Sequence, residues 1–101
     1  MKSPTVYIMA SARNGTLYTG VTSNITQRVY EHKNSLKGAF SKKYDCKLFV
    51  YYEVHETMES AIIAEKKIKG GSRKKKIDLI ECQNPHWDDL YLSVFSNLSL
   101  K

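Results

Sequence analysis

The sequence predicts a small α+β domain, and three observations carry that reading. Two alternating segments, Thr5 to Ser11 and Thr16 to Val21, flank Arg13-Asn14-Gly15, and Asn-Gly is the strongest short hairpin signal. A third segment, Leu48 to Val54, is dense in aromatic and β-branched residues, as suits a strand buried on at least one face. The remaining segments carry helix caps and apolar stripes.

The elements follow in order. A two-residue turn at Asn14-Gly15 would pair Tyr7 with Thr22, Met9 with Gly20 and Ser11 with Tyr18. Register sets the faces: Val6, Ile8 and Ala10 join Leu17, Thr19 and Val21, while Tyr7 and Tyr18 share the other face, Gly20 leaving space between them; a three-residue loop would put the tyrosines on opposite faces. Ser23 or Asn24 can cap a helix to about Lys33. Its stripe of Ile25, Arg28, Val29 and His32 mixes apolar and polar residues, which suits a site better than a core. Asn34 to Lys43, rich in Gly, Ser and Lys, reads as a mobile loop. After the third strand, Thr57 caps a second helix, with Glu59 in its first turn and Lys66, Lys67 and Lys69 near its end, as the helix dipole favours. Gly70-Gly71 ends it. The inward stripe is Met58, Ala61, Ile62, Glu65 and Ile68. A carboxylate on such a stripe either meets a cation or escapes to water by rotation of the helix, and a salt bridge to Arg28 is the plain structural account. Ser72 caps a third helix with Arg73 to Lys76 on one side and Ile77, Leu79 and Ile80 on the other, and Asn84-Pro85 breaks the chain. Trp87 to Leu98 has the pattern of a last amphipathic helix. Tyr51, Tyr52 and Trp87 read as packing residues.

At 101 residues the chain has room for one domain and one core. Apolar content is 42% and charged content 26%, so a folded domain is expected rather than disorder. No run approaches the roughly 20 apolar residues of a membrane span. Met1 to Pro4 lead straight into a strand, so no signal peptide is expected. Cys46 and Cys82 match no metal spacing and read as free thiols of a reducing, cytoplasmic compartment. The formal net charge is +6, with an isoelectric point near 9.3. Seven of the sixteen basic residues fall within the eleven positions Lys66 to Lys76, which contain no acid. Such a block attracts a polyanion by releasing its counterions, although a solvated helix face has the same composition.

Several chemistries are disfavoured. There is no Gly-x-Ser-x-Gly elbow, no phosphate loop with Lys-Ser or Lys-Thr, and no zinc spacing among His32, His55 and His86. Tyr7, Tyr18, Arg28, His32 and Glu65 are left in places where the local pattern does not explain them. Phosphodiester hydrolysis needs a metal, a base and a cation for the developing charge. Glu65 suits a hydrated Mg²⁺ that keeps most of its waters, Arg28 suits the phosphate, and Tyr18, Tyr7 or His32 suits the base. A tyrosine base would need its pKa lowered from about 10.

These residues resemble the GIY-YIG nuclease superfamily. The motif's first half corresponds to Val6-Tyr7-Ile8 and its second to Tyr18-Thr19-Gly20, with Val6 in place of Gly and Thr19 in place of Ile; the tyrosines are eleven residues apart. Arg28, His32 and Glu65, the last within Glu65-Lys66-Lys67-Ile68-Lys69, match the family's helical Arg, His and metal-binding Glu. Asn84 before Pro85, with Trp87-Asp88-Asp89-Leu90, is similar to small standalone bacterial members. The resemblance spans Thr5 to Leu90. It implies a three-stranded antiparallel sheet flanked by helices, and hydrolysis with one Mg²⁺ or Mn²⁺ that leaves a 5′-phosphate and a 3′-hydroxyl. It further implies Tyr18 as general base with Tyr7 shaping the water and phosphate network, His32 assisting or serving as base, Arg28 stabilising the transition state, Glu65 holding the metal and Asn84 supporting the site. Gly20, Lys69, Arg73, Lys74, Lys75 and Lys76 would meet the nucleic acid. DNA is the expected substrate, with RNA and branched or damaged forms open, and a protein partner in repair or recombination could supply the target. The rival classes are a nucleic-acid-binding module that does not cut, and an interaction protein whose basic helix docks on an acidic partner.

Overall fold

The structure, a computed structural model, describes residues 3–34 and 46–93. The elements run β1 (Thr5–Ala10), β2 (Leu17–Thr22), α1 (Ile25–Lys33), β3 (Leu48–Val54), α2 (Met58–Gly70) and α3 (Arg73–Gln83). The strands form an antiparallel sheet in the order β2-β1-β3. The loop expected over Asn34 to Lys43 falls, beyond its first residue, outside the described residues.

β1 lies between the other two strands, and every one of its residues is buried. It therefore has a core on each side. Tyr7 and Met9 pack with Ile25 and Val29 of α1 and with Phe49. Ile8 and Ala10 pack with Val50, Tyr51 and Ile80, against which Ile68, Ile77 and Leu79 also lie. Hence α1 covers one face, while α2 and α3 cover the other.

The hairpin turn is longer than its Asn-Gly signal suggests. Ser11 N donates to Thr16 O at 2.9 Å and Gly15 N to Ala12 O at 2.8 Å, so the turn is built from Ala12 to Gly15. Asn14 supplies the left-handed residue at φ 59°, a conformation asparagine tolerates better than most. The pairing becomes Tyr7 with Gly20 and Met9 with Tyr18. This differs from the two-residue turn by two positions, a full period of the pleat, so every side chain keeps its expected face. On the other side of β1 the register slips between Ile8, opposite Tyr51, and Met9, opposite Phe49. Val50 is the extra residue of this bulge.

The chain after α3 departs from the expected helix over Trp87 to Leu98. Residues 87–89 are not helical, a helical turn begins only at Tyr91, and residues 94–101 lie outside the described set. The cause is local. Trp87 adopts φ 57°, its ring is buried with Ile8 and Ile80, and its Nε1 donates to Glu81 Oε2 at 2.8 Å. Leu90 and Tyr91 pack on the opposite core, so this segment passes round the outer edge of β3. It closes that edge on the way. The Gln83 amide exchanges bonds with Tyr52 N and O at 3.2 and 2.9 Å. Leu90 N donates to Phe49 O at 2.7 Å. Asn84 Nδ2 donates to Val50 O at 3.1 Å and Asp88 O at 2.8 Å, while its Oδ1 accepts from Asp88 N at 3.0 Å. Lys33 of α1 pairs with Asp89 from the other side. An edge covered in this way is closed to pairing with another chain.

Asn84→Ala is expected to cost about 2–3 kcal/mol, because it strands buried backbone groups of Val50 and Asp88. Urea unfolding measures it. A loss no greater than the roughly 1 kcal/mol of removing an exposed helix cap would show that the tie is dispensable.

Candidate active site

Tyr7 is completely buried, and its position depends on the absence of a side chain opposite. A Cβ built on Gly20 would stand 2.6 Å from Tyr7 Oη and 2.7 Å from Cζ. The ring therefore fills the space that any larger residue at position 20 would need. Tyr18 lies beside it, with ring centroids 6.1 Å apart in an edge-on arrangement.

α1 supplies the other half of the cluster. The Asn24 side chain accepts from Gln27 N and starts the helix, which fixes where Arg28 and His32, one turn apart, emerge. His32 Nε2 is 3.0 Å from Tyr7 Oη in a buried hydrogen bond. The imidazole also lies 5.6 Å from the Tyr7 ring and 5.0 Å from the Tyr18 ring, centroid to centroid. Burial holds the Tyr7 phenol well above the usual tyrosine range and the neighbouring Tyr18 adds to this, while Arg28 opposes. Burial, and then the Arg28 charge, lower the His32 pKa against a smaller opposing effect of Glu31. At neutral pH Tyr7 thus keeps its proton and His32 is uncharged.

Glu31 was not legible as a functional residue. It sits off the expected stripe of α1, yet it is buried. Its Oε1 meets Arg28 Nε at 3.4 Å and its Oε2 accepts from Gln27 Nε2 at 3.2 Å. The spacing Arg28-x-x-Glu31 was the available signal, since residues three apart are neighbours on a helix. Through Nε, Glu31 orients the Arg28 guanidinium beside the phenols.

Glu65 is buried on α2. Its partner is Lys69, one turn on, with Nζ 2.7 Å from Oε2; Arg28, the partner considered from sequence, pairs with Glu31 instead. Lys69 borders a cleft of about 350 Å³ with Leu17, Tyr18, Thr19 and Lys76. The open edge of β2 thereby lies next to the ends of both helices of the second face. Among the described residues no group of three or more His, Cys, Asp or Glu is placed to hold a metal. One carboxylate beside a cleft fits a hard cation that keeps most of its water, and does not fit a tightly caged one.

Tyr7, Tyr18, Arg28 and His32 therefore come together, Gly20 lies beneath Tyr7, and Glu65 adjoins the cleft of Tyr18 through Lys69. Of the other named residues, Lys69 and Lys76 border the cleft of Tyr18, and the rest are placed elsewhere. Arg73 donates to Asn14 O and Gly15 O at 2.6 and 2.7 Å, holding the hairpin turn. Lys74 pairs with Asp78 at 3.1 Å. Lys75 and Lys76 line the groove between α2 and α3. Asn84 contacts β3 and its own turn.

The family model of the GIY-YIG catalytic domain matches residues 3–78. The chain belongs to the GIY-YIG family. Its curated relatives include a UPF0213 protein of Desulfotalea psychrophila, 35% identical over 92 residues, covering 90% of this chain and 83% of the relative. A UPF0213 protein of Staphylococcus saprophyticus is 35% identical over 75 residues, 74% of this chain and 90% of that one. The fold is shared with the UPF0213 protein of Bacillus halodurans, solved by solution NMR, at a TM-score of 0.55 and 22% identity over 89% of this chain and 95% of that one. No helix among the described residues is long and apolar enough to cross a membrane. The first triplet ends in its tyrosine, so it falls on Thr5-Val6-Tyr7 rather than on Val6-Tyr7-Ile8, with Thr5 in place of the Gly and Val6 in place of the Ile. Val6 and Thr19, the two residues at the Ile positions, are buried and belong to the face of β1 and β2 opposite Tyr7, away from the phenols.

Two expectations follow from this packing. Gly20→Ala should cost about 1–3 kcal/mol in urea, as overpacking a full core does; an unchanged midpoint would show that Tyr7 can move aside. Because the folded His32 pKa lies below its unfolded value of about 6.5, the unfolded chain binds a proton that the folded one refuses as pH falls through that range. Stability should therefore drop between pH 7.5 and 5.5, and drop less in His32→Gln. Equal slopes in the two proteins would mean that His32 is not held neutral.

Proposed function

We propose that the protein is an endonuclease that hydrolyses DNA phosphodiesters with one divalent metal, Mg²⁺ or Mn²⁺. The observation that carries this reading is the buried Tyr7–His32 hydrogen bond beside Tyr18 and Arg28. It combines a neutral base, phenol donors and a fixed cation in one place. Family membership supports nuclease chemistry and a nucleic-acid partner.

Each residue has a distinct task. Arg28, held by Glu31, meets the phosphate and stabilises the charge that develops on its oxygens. Tyr18, the less buried of the two tyrosines, orients the attacking water. His32 is the proton acceptor, since burial keeps it neutral and a base must be unprotonated to act. Burial holds the proton of the resting Tyr7 phenol, which argues against it as the base; its hydroxyl fixes the imidazole. Water attacks phosphorus, its proton passes to the Tyr7 hydroxyl as that hydroxyl gives its own proton to His32 Nε2, the bond to the 3′-oxygen breaks, and that oxygen is protonated from solvent. The products are a 5′-phosphate and a 3′-hydroxyl. Glu65 would hold the metal, which supplies Lewis-acid polarisation of the phosphate. Lys69 would then exchange its carboxylate partner for the DNA backbone, and Asn84 would keep β3 and the chain after α3 in place behind the site.

One observation favours a second reading. Lys69 already supplies the charge that Glu65 needs, so the same fold satisfies this carboxylate without any metal. On that reading the chain binds nucleic acid and does not cut, or cuts only with a protein partner.

Cleavage of labelled duplex, branched and single-stranded DNA, and of RNA, in Mg²⁺ or Mn²⁺ separates the two. Wild type is expected to cut, Glu65→Ala to lose cleavage while keeping its fold and binding, and Arg28→Ala to fall by about 10²–10³ in rate, as loss of a charge-stabilising donor does. Glu65→Ala cutting as fast as wild type would remove the metal assignment. Binding without cleavage in either metal would favour the second reading.

A further inference from the structure

The groove between α2 and α3 takes no part in the chemistry above, yet it has the composition of a binding site. It measures about 610 Å³ and runs from β3 to the facing sides of the two helices, within the roughly 300–1,000 Å³ typical of small-ligand sites. Its inner wall is Tyr51, Ile68 and Leu79, which belong to the second core. Its rim carries Lys67, Lys75 and Lys76. Lys76 also lines the cleft that contains Tyr18 and Lys69, so the groove and the candidate active site are joined through one side chain.

We propose that this groove holds an unpaired nucleotide of a DNA strand whose neighbouring phosphates follow Lys69, Lys76, Lys75 and Lys67. The proposal rests on the nuclease reading for its ligand and adds where the strand goes and in what form. An apolar recess bordered by cations matches a nucleotide, whose base has an apolar face and whose phosphate is an anion. A base pair inside a duplex keeps its faces stacked and cannot enter such a recess. The two acids of the groove give the strand an orientation. Asp78 is paired with Lys74 outside, and Glu53 lies by Tyr51 at the strand side, so phosphate is repelled there and kept on the lysine rim. Burial, with the Glu53 carboxylate beside it, pushes the Tyr51 phenol up to about 12, so the hydroxyl keeps its proton and donates its hydrogen bond to Glu53, leaving the ring as the apolar wall of the recess.

Cys82 makes the groove testable without any cleavage. It is an exposed free thiol lining the groove, whereas Cys46 is buried, so the fast phase of maleimide labelling reports Cys82. The experiment is labelling of the wild-type protein in EDTA, with binding followed separately by fluorescence anisotropy of an oligothymidine strand. With the strand at ten times its Kd, labelling should slow about tenfold, the factor 1 + [L]/Kd. A blunt duplex at the same degree of saturation should slow it by less than about twofold, because its stacked bases stay outside the recess. In Lys67→Glu/Lys75→Glu, at exposed positions, the protection at the same strand concentration should be largely lost. A strand that binds without slowing Cys82 would overturn the groove and leave the nuclease reading intact, as would equal protection by duplex. Protection by the single strand together with no cleavage in either metal would keep the groove and favour the second reading, in which the chain alone does not cut.

Discussion

A phenol on a central strand must find a partner for its hydroxyl inside the protein, because water cannot reach it. Tyr7 is in that position. β1 is covered on both faces, and the hydroxyl of Tyr7 is satisfied by His32 at 3.0 Å. Much else is arranged around that bond. The ring needs the space over Gly20, and α1 must lie where its last turn reaches β1. Once His32 is so placed, Arg28 one turn earlier is brought to the same phenol. Burial then settles the protonation states on both sides of the bond. Packing and chemistry are here the same constraint.

The parts of the molecule that could be read from the sequence are those governed by period and by caps. The third strand and the caps at Thr57 and Ser72 depend only on local pattern. The shared face of Tyr7 and Tyr18 hung on the turn: four residues in place of two moved every pair and no face, where three would have put the tyrosines on opposite faces. What stayed hidden depends on contacts between distant segments. Glu31 was unremarkable until Arg28 and Gln27 were seen to converge on it. Trp87 fits a helical stripe in sequence, but its ring has a place in the second core that only a left-handed turn can reach. Arg73 belonged to a basic run by composition and to a turn by geometry.

The two edges of the sheet are treated differently. Beside β3, Gln83, Asn84 and Leu90 bond to the strand's backbone and close it. Beside β2 lies a cleft with Tyr18, Lys69 and Lys76 on its border. A sheet of three strands has just two edges, so structural closure and access are divided between them. The position of Asn84 suits this division. It secures the closed edge, behind the strand whose neighbour carries Tyr7.

The contact between Arg73 and the hairpin turn has a mechanical consequence. A two-stranded ribbon projecting from a sheet bends most easily at its tip, where nothing braces it. In this protein the tip carbonyls of Asn14 and Gly15 are clamped by a guanidinium rooted in the first turn of α3. The stiffness of the ribbon that carries both tyrosines is thus borrowed from a helix on the opposite side of the sheet, and any load on the start of that helix is felt at the turn.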